Sequence, residues 1–318
     1  MSSDRVLRVV LYNYVRDVSR SPFPTLNSML LDDFRAQVAE LATHFEMASL
    51  ESAVDFMSGE YRPRRDLCLL TFDDGLKEHY TEVTPILHEK RIRAVFFPIT
   101  GCLEDRTMAA VHMNDFLLAS MDFEEYSKAF FSRVAALSPD GLPPRNVDLA
   151  RTAADYPRDT PEVGRFKHIF HFCISPEIRD RAVREIFAER VGDETSFAES
   201  LYLSWDDARK MQKAGMAIGG HSHRHNPLAN LTPAELASDL ETCHRLLHQK
   251  LLPQPVWSFS YPYGRKESFH LRAVRTLQEL NFRCAFSTES SDNRRGADKY
   301  MVGRTDYRKA LIATAAGV

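Results

Sequence analysis

Short runs rich in β-branched and aromatic residues recur along this chain, separated by longer stretches whose apolar residues have helical spacing. Few folds accept that alternation. A strand that rejoins its sheet in the same direction needs a crossover of a dozen or more residues, and a helix supplies it, so the pattern predicts βα units around a parallel sheet. Strands are expected at Arg8–Tyr12, Leu67–Phe72, Arg93–Pro98, Met216–Gly219, Trp257–Tyr261 and Cys284–Ser287. Leu31–His44 reads as an amphipathic helix. Ser204-Trp-Asp-Asp207 has capping-box spacing ahead of Ala208–Lys213, with Gly215 placed to stop that helix. Thr232-Pro-Ala-Glu235 starts another, because Thr232 caps, Pro233 suits the first turn and Glu235 reaches back; this helix should run toward Leu252.

Between about residues 104 and 201 the strand rhythm stops and a charged, mostly helical stretch takes over, with Ser138-Pro-Asp-Gly-Leu-Pro-Pro144 as a loop. The expectation is one α/β domain over residues 1–318 carrying a helical insertion at about 104–201, without internal repeats. The chain sets 41 Lys and Arg against 44 Asp and Glu, a formal net charge of -3, so nothing global draws it to nucleic acid or anionic lipid. The basic clusters Arg62-Pro-Arg-Arg65 and Arg294-Arg295 read as solvated loop faces. The N-terminal apolar run, interrupted by Arg8 and ended by Asn13, is too short for a signal-peptide core, and no segment is apolar for the length of a membrane span. Cys68, Cys102, Cys173, Cys243 and Cys284 are odd in number and scattered, with no CxxC pair. They read as reduced, mostly buried residues of a cytosolic protein.

Three constellations fall at the carboxyl ends of expected strands, where parallel α/β folds assemble active sites. In Leu70-Thr-Phe-Asp-Asp-Gly75 an apolar strand ends in two adjacent carboxylates that leave the backbone in different directions, so one suits a metal and the other a base. Taken alone, Asp-Asp-Gly is better read as a turn in which Asp74 caps a helix; the second constellation changes that weighing. Gly219-Gly-His-Ser-His-Arg-His225 spaces His221 and His225 so that one turn of chain brings both imidazoles to one side, with His223 pointing elsewhere. Two histidines and a carboxylate make a ligand set for a divalent metal with open positions for water. Ser258-Phe-Ser-Tyr-Pro-Tyr-Gly264 ends a strand in a turn that presents a backbone N–H, nominally that of Tyr263, toward a developing oxyanion; its plain reading is a strand-terminating turn.

Thr71-Phe-Asp-Asp-Gly75, His221-Ser-x-x-His225 and Tyr261-Pro-Tyr-Gly264, in this order, resemble the polysaccharide deacetylases, the carbohydrate esterase family 4 or NodB-homology group. The resemblance implies a distorted (β/α) barrel of about seven strands. It makes Asp73 the general base, Asp74 with His221 and His225 the metal ligands, Tyr263 the oxyanion donor through its backbone, and Ser222 a brace for the loop. It implies a divalent ion: zinc suits these ligands, and nickel, cobalt and manganese fit the same set. Two features depart from the better-known members, which use a late Leu-x-His as general acid and often an arginine in the third motif. No histidine follows His270 here, and Ser260 stands in the third motif.

His112, in Val111-His-Met-Asn before an apolar helix, is the first candidate for the acid, ahead of His168 and His171; His244, His248 and His270 read as packing or surface residues. The reading reached is a cytosolic metal-dependent amide hydrolase that removes an acyl group from an amino sugar or oligosaccharide, in surface-polysaccharide or O-antigen synthesis. The alternatives are a hydrolase of another C–N amide on the same fold and a catalytically silent sugar-binding or scaffold protein.

Overall fold

The computed structural model describes residues 5–18, 21–138, 152 and 155–311. The loop expected at residues 139–144 lies outside them. The chain divides into two compact units: the described residues of Met1–Asp17, Asn27–Arg106 and Glu199–Val318 form one, and those of Val18–Leu26 and Thr107–Ala198 the other.

In the first unit the strands are β1 (Leu7–Tyr12), β2 (Glu46–Met47), β3 (Leu67–Asp74), β4 (Ala94–Pro98), β5 (Ala217–Ile218), β6 (Ser258–Ser260), β7 (Cys284–Phe286) and β8 (Thr305–Asp306). One parallel sheet runs β5-β4-β3-β1-β8, with β2 also on β3, and a second pairs β6 with β7. Two single parallel bridges join them, Gly220 to Phe259 and Phe286 to Val302, so the strands close into a ring. The result is a distorted (β/α)-barrel-like α/β fold. All eight residues of β3 are buried, as expected of a strand covered on both faces.

Alternation along the strands sorts the core into two sides. Leu7, Val9, Leu67, Leu69, Val95 and Phe97 belong to one buried cluster, and Phe97 meets Phe286 from β7 at 5.4 Å, so this is the barrel interior. The other side carries Tyr12, Phe72 and Phe96, which are register partners on β1, β3 and β4 and stack at 4.9 and 4.7 Å. Phe34, on the helix Leu31–His44, packs edge-on against Tyr12.

The local signals read from the sequence act as drawn. Ser204 accepts the Asp207 N–H while the Asp207 carboxylate accepts the Ser204 N–H, opening the helix Trp205–Lys213. Thr232 and Glu235 do the same for Pro233–Lys250. That helix stops at Lys250, short of Leu252, because Pro253 disfavours helical backbone in the residue before it. β2 and β8, two residues each, are too short to register as a period in the sequence.

The second unit is helical, with Ala110–Ser120, Phe123–Leu137, Pro161–His168 and Pro176–Arg190 among its elements. Tyr126, Phe130, Phe166 and Phe170 form its aromatic core. Among the described residues, no helix is long and apolar enough to cross a membrane.

His79 is fully buried between Phe72 and Phe96, and its Nε2–H donates to the Asn13 carbonyl at 2.9 Å. Burial holds its imidazole below the ordinary histidine range, against the pull of Glu78. A folded-state pKa below the unfolded one gives stability that is complete above the unfolded value and is lost as pH falls through it toward the folded one. Urea unfolding should therefore show wild type losing more stability between pH 7.5 and 5.5 than His79→Gln, which keeps a donor but cannot titrate. Equal losses would remove His79 from the acid sensitivity.

Candidate active site

β3 delivers both carboxylates at its carboxyl end. Alternation aims Asp73, like Leu69 and Thr71, into the barrel; Asp74 would face the helices, but its left-handed backbone (φ 77°) breaks the alternation. Asp74 thus lies inside the strand rather than capping a helix. Gly75 follows at φ 70°, where a Cβ would sit 2.6 Å from the Pro98 Cβ, so only glycine lets the chain leave the sheet here. Ser222 (φ 61°), His225 (φ 55°) and Tyr263 (φ 63°) are also left-handed. Each such residue costs about 1–3 kcal/mol, and the cost is gathered on the loops that carry the three motifs.

Asp74, His221 and His225 converge as the sequence expected. His221 and His225 Nε2 lie 3.1 Å apart, and Asp74 Oδ1 lies 3.6 and 3.7 Å from them. Ligands about 2.1 Å from a tetrahedral ion sit about 3.4 Å from one another, so the spacing suits a zinc-sized cation. The outer partners agree. His221 Nδ1 lies 2.7 Å from the Ser260 carbonyl oxygen and donates its hydrogen there, which fixes the tautomer and leaves the Nε2 lone pair for a metal. Asn13, at the end of β1, donates Nδ2–H to Asp74 Oδ2 at 2.7 Å and leaves Oδ1 toward the histidines. Among the described residues this is the one group of three or more such side chains with its donor atoms close enough to share an ion, and all three are buried.

Asp73 is held by an arginine that sequence reasoning missed. Arg304, fully buried just before β8, donates Nη1–H to Asp73 Oδ1 at 2.9 Å and Nη2–H to Oδ2 at 2.8 Å. The same guanidinium donates to Ser260 Oγ at 2.9 Å and to the Ser287 carbonyl at 2.9 Å, and Ser260 Oγ–H donates to Asp73 Oδ2 at 3.1 Å. The arginine absent from the third motif is therefore present in space, entering from β8 over the small Ser260. Nothing in Val302-Gly-Arg-Thr305 distinguishes it in sequence from a sheet-edge residue. With Asp73 neutralised, Asp74 beside two imidazoles and a neutral amide is the surplus negative charge, which favours a cation.

Ser222 braces the loop as expected, its Oγ accepting the His225 N–H at 2.8 Å. His223 turns away: Nδ1 lies 3.2 Å from Thr100 Oγ1 and Nε2 3.7 Å from Asp105, and burial lowers its pKa. The Tyr263 ring lies 5.0 Å from that of His225, and the Tyr263 carbonyl accepts the Thr288 hydroxyl. His112 is buried on Ala110–Ser120 in the second unit, as is His171, while His168 is part-exposed there. His244 and His248 stack one turn apart on Pro233–Lys250, and exposed His270 precedes Leu271–Glu279.

The sequence profile described as polysaccharide deacetylase matches residues 60–121 and 170–285, more than half of the chain. The chain belongs to the polysaccharide deacetylase family. Family membership supports a carbohydrate deacetylase, a hydrolase. Solved structures that resemble this family member include the Streptococcus pyogenes deacetylase PplD in complex with acetate, at 14% identity and a TM-score of 0.59, covering 98% of each chain. IcaB from Ammonifex degensii follows at 18% and 0.58, covering 98% of this chain and 97% of that one. The BpsB deacetylase domain from Bordetella bronchiseptica stands at 17% and 0.57, with 96% and 97% covered. At these identities the likeness concerns the fold. No curated protein sequence matches the chain.

Removing the cation from a buried pair strands the carboxylate, so Arg304→Met should cost about 3–5 kcal/mol of stability in chemical denaturation. Arg304→Met combined with Asp73→Leu should recover much of that loss. A double variant no more stable than Arg304→Met would show that the two side chains are not energetically coupled.

Proposed function

We propose that this deacetylase-family member is a divalent-metal-dependent amide hydrolase that removes an N-acyl group from an amino sugar. We place it in the cytoplasm, acting on an intermediate of surface-polysaccharide or O-antigen synthesis. The observation that carries the reading is a complete Asp74, His221 and His225 donor set beside a second carboxylate, Asp73, that has its own arginine. A silent scaffold has no use for a base clamped beside three converging ligands. The cytoplasmic placement is supported by five scattered cysteines, four of them buried, none of which forms a disulfide among the described residues.

Asp74, His221 and His225 would hold a divalent cation, which when bound would supply Lewis-acid polarisation of an acyl carbonyl and lower the pKa of water. Zinc suits two imidazoles and one carboxylate; nickel, cobalt or manganese would use the same atoms. Asp73 takes the proton from the attacking water, and Arg304 with Ser260 fixes the carboxylate so that little reorganisation accompanies the transfer. The Tyr263 N–H donates to the oxyanion of the tetrahedral intermediate. Collapse then needs a proton on the leaving amine, for which the candidates are His112, which the sequence puts first, and Asp73 once it carries the proton of the attacking water.

Elemental analysis should find near-stoichiometric metal in the wild type and little in the His221→Ala/His225→Ala variant. Asp73→Asn should keep the metal and lose about 10²–10⁴-fold in hydrolysis of acylated amino sugars. A wild type that stays metal-free after supplementation would overturn the metal centre, and turnover of small amides but not acyl sugars would reassign the bond. If His112→Gln turns over at the wild-type kcat, the amine receives its proton from another group, and Asp73 becomes the one that serves both steps.

A further inference from the structure

The loop that carries both histidines leans on one helix. On Pro233–Lys250, Asp239 and Cys243 are four residues apart and so share a face. Asp239, buried, accepts the His223 N–H on Oδ1 at 2.8 Å and the Arg224 N–H on Oδ2 at 3.0 Å. Cys243, fully buried one turn further on, packs its sulfur against the backbone that leads into the loop at Gly220. The next N–H, that of His225, goes to Ser222 Oγ. Three successive backbone donors, those of His223, Arg224 and His225, therefore end on side-chain acceptors, and two of the three end on the single carboxylate of Asp239.

The close approach is built in. A Cβ on Gly220 would lie 2.9 Å from Cys243 Sγ, so glycine there lets the loop backbone reach the helix face. The carbonyls are held from the opposite direction, where the N–H groups of Thr100 and Gly101 donate to Ser222 and His223 at 3.1 and 2.9 Å. Successive N–H groups turned one way form a concavity that attracts negative charge, and here the Asp239 carboxylate fills it. The strained Ser222 backbone lies at its centre, and strain of this kind persists only where surrounding bonds over-determine it.

We propose that Asp239 and Cys243 are positioning residues for the metal centre. They fix the left-handed loop that brings His221 and His225 Nε2 to 3.1 Å, and so set the affinity and ligand field of the bound ion. The inference rests on the metal-centre reading above. Asp239→Asn preserves shape, but its amide –NH₂ meets a backbone N–H where an oxygen accepted one. Cys243→Val puts a second γ carbon against the tightly approaching backbone at Gly220, and Cys243→Ser keeps the unbranched shape.

The test measures zinc affinity by competition with a chromophoric chelator, the visible bands of the cobalt(II)-loaded protein, and apo-protein melting. Asp239→Asn and Cys243→Val should each weaken zinc by about 10–100-fold, the range seen when the outer partners of metal ligands are lost, and should alter the cobalt bands. Cys243→Ser should recover most of the affinity. Leu246→Ala, a buried packing change on the same helix, should lower melting while leaving zinc affinity and the bands in place. Wild-type affinity and bands in Asp239→Asn, or loss in Leu246→Ala equal to that in the loop-facing variants, would overturn the proposal. If Asp239→Asn does not fold, the Cys243 pair decides by the same criterion. A wild type that binds no zinc would instead overturn the metal centre itself, and this inference with it.

Discussion

One buried guanidinium ties the barrel to its chemistry. Arg304 reaches Asp73 on β3, Ser260 on β6 and the carbonyl of Ser287 just after β7, from a position one residue before β8. Between β5 and β6, and again beyond β7, the ring is joined by single bridges, so side-chain bonds at its carboxyl end make up for missing ladder bonds. A charge so deeply buried is costly unless paired, and the pairing here is two-pronged with additional acceptors for the remaining hydrogens. The carboxylate that suits water activation is thus also the anion that makes the arginine tolerable inside the barrel.

The three motifs were legible because each combines a strand end with residues a buried strand would otherwise exclude. Asp73 and Asp74 close an eight-residue buried strand; two glycines precede a histidine pair at one-turn spacing; a proline and a glycine end β6. Arg304, Asn13 and Asp239 were not legible. Each acts across a long sequence separation, Arg304 on Asp73, Asn13 on Asp74 and Asp239 on the loop of His221–His225. In sequence Arg304 has the neighbourhood of an edge residue, Asn13 that of a strand terminator, and Asp239 that of any polar position on a charged helix. Ser260, which read as a loss, is better described as room: a larger side chain there would occupy the space through which Arg304 reaches the base.

Strain and charge at the site have a common logic. Asp74, Ser222, His225 and Tyr263 all hold left-handed backbones, and the loops bearing them are pinned by side chains from elsewhere: Asn13 on Asp74, the helix Pro233–Lys250 on the histidine loop, Thr288 on the Tyr263 carbonyl. Left alone, such loops would relax and the ligand atoms would separate. Held, they converge to spacings a single small cation spans, so folding has already met the cost of ordering the ligands before any ion arrives.

Placing the partner of Asp73 beside the last strand has a consequence for how this end of the barrel is assembled. Asp73 and Arg304 are 231 residues apart in sequence, so the pair forms only when the last strand, β8, has docked beside β1 in the sheet that holds β3. Until then Asp73 stands at the end of β3 without its cation, a state the surrounding apolar core penalises. Docking of β8 therefore relieves a buried charge as well as adding hydrogen bonds, which links placement of the last strand to the pairing of Asp73. An arginine carried on β6 itself would form the same ion pair without that dependence on β8. With serine at that position, a sheet that has not yet taken up β8 lacks the group that orients Asp73, so the arrangement is complete only once the last strand is in place.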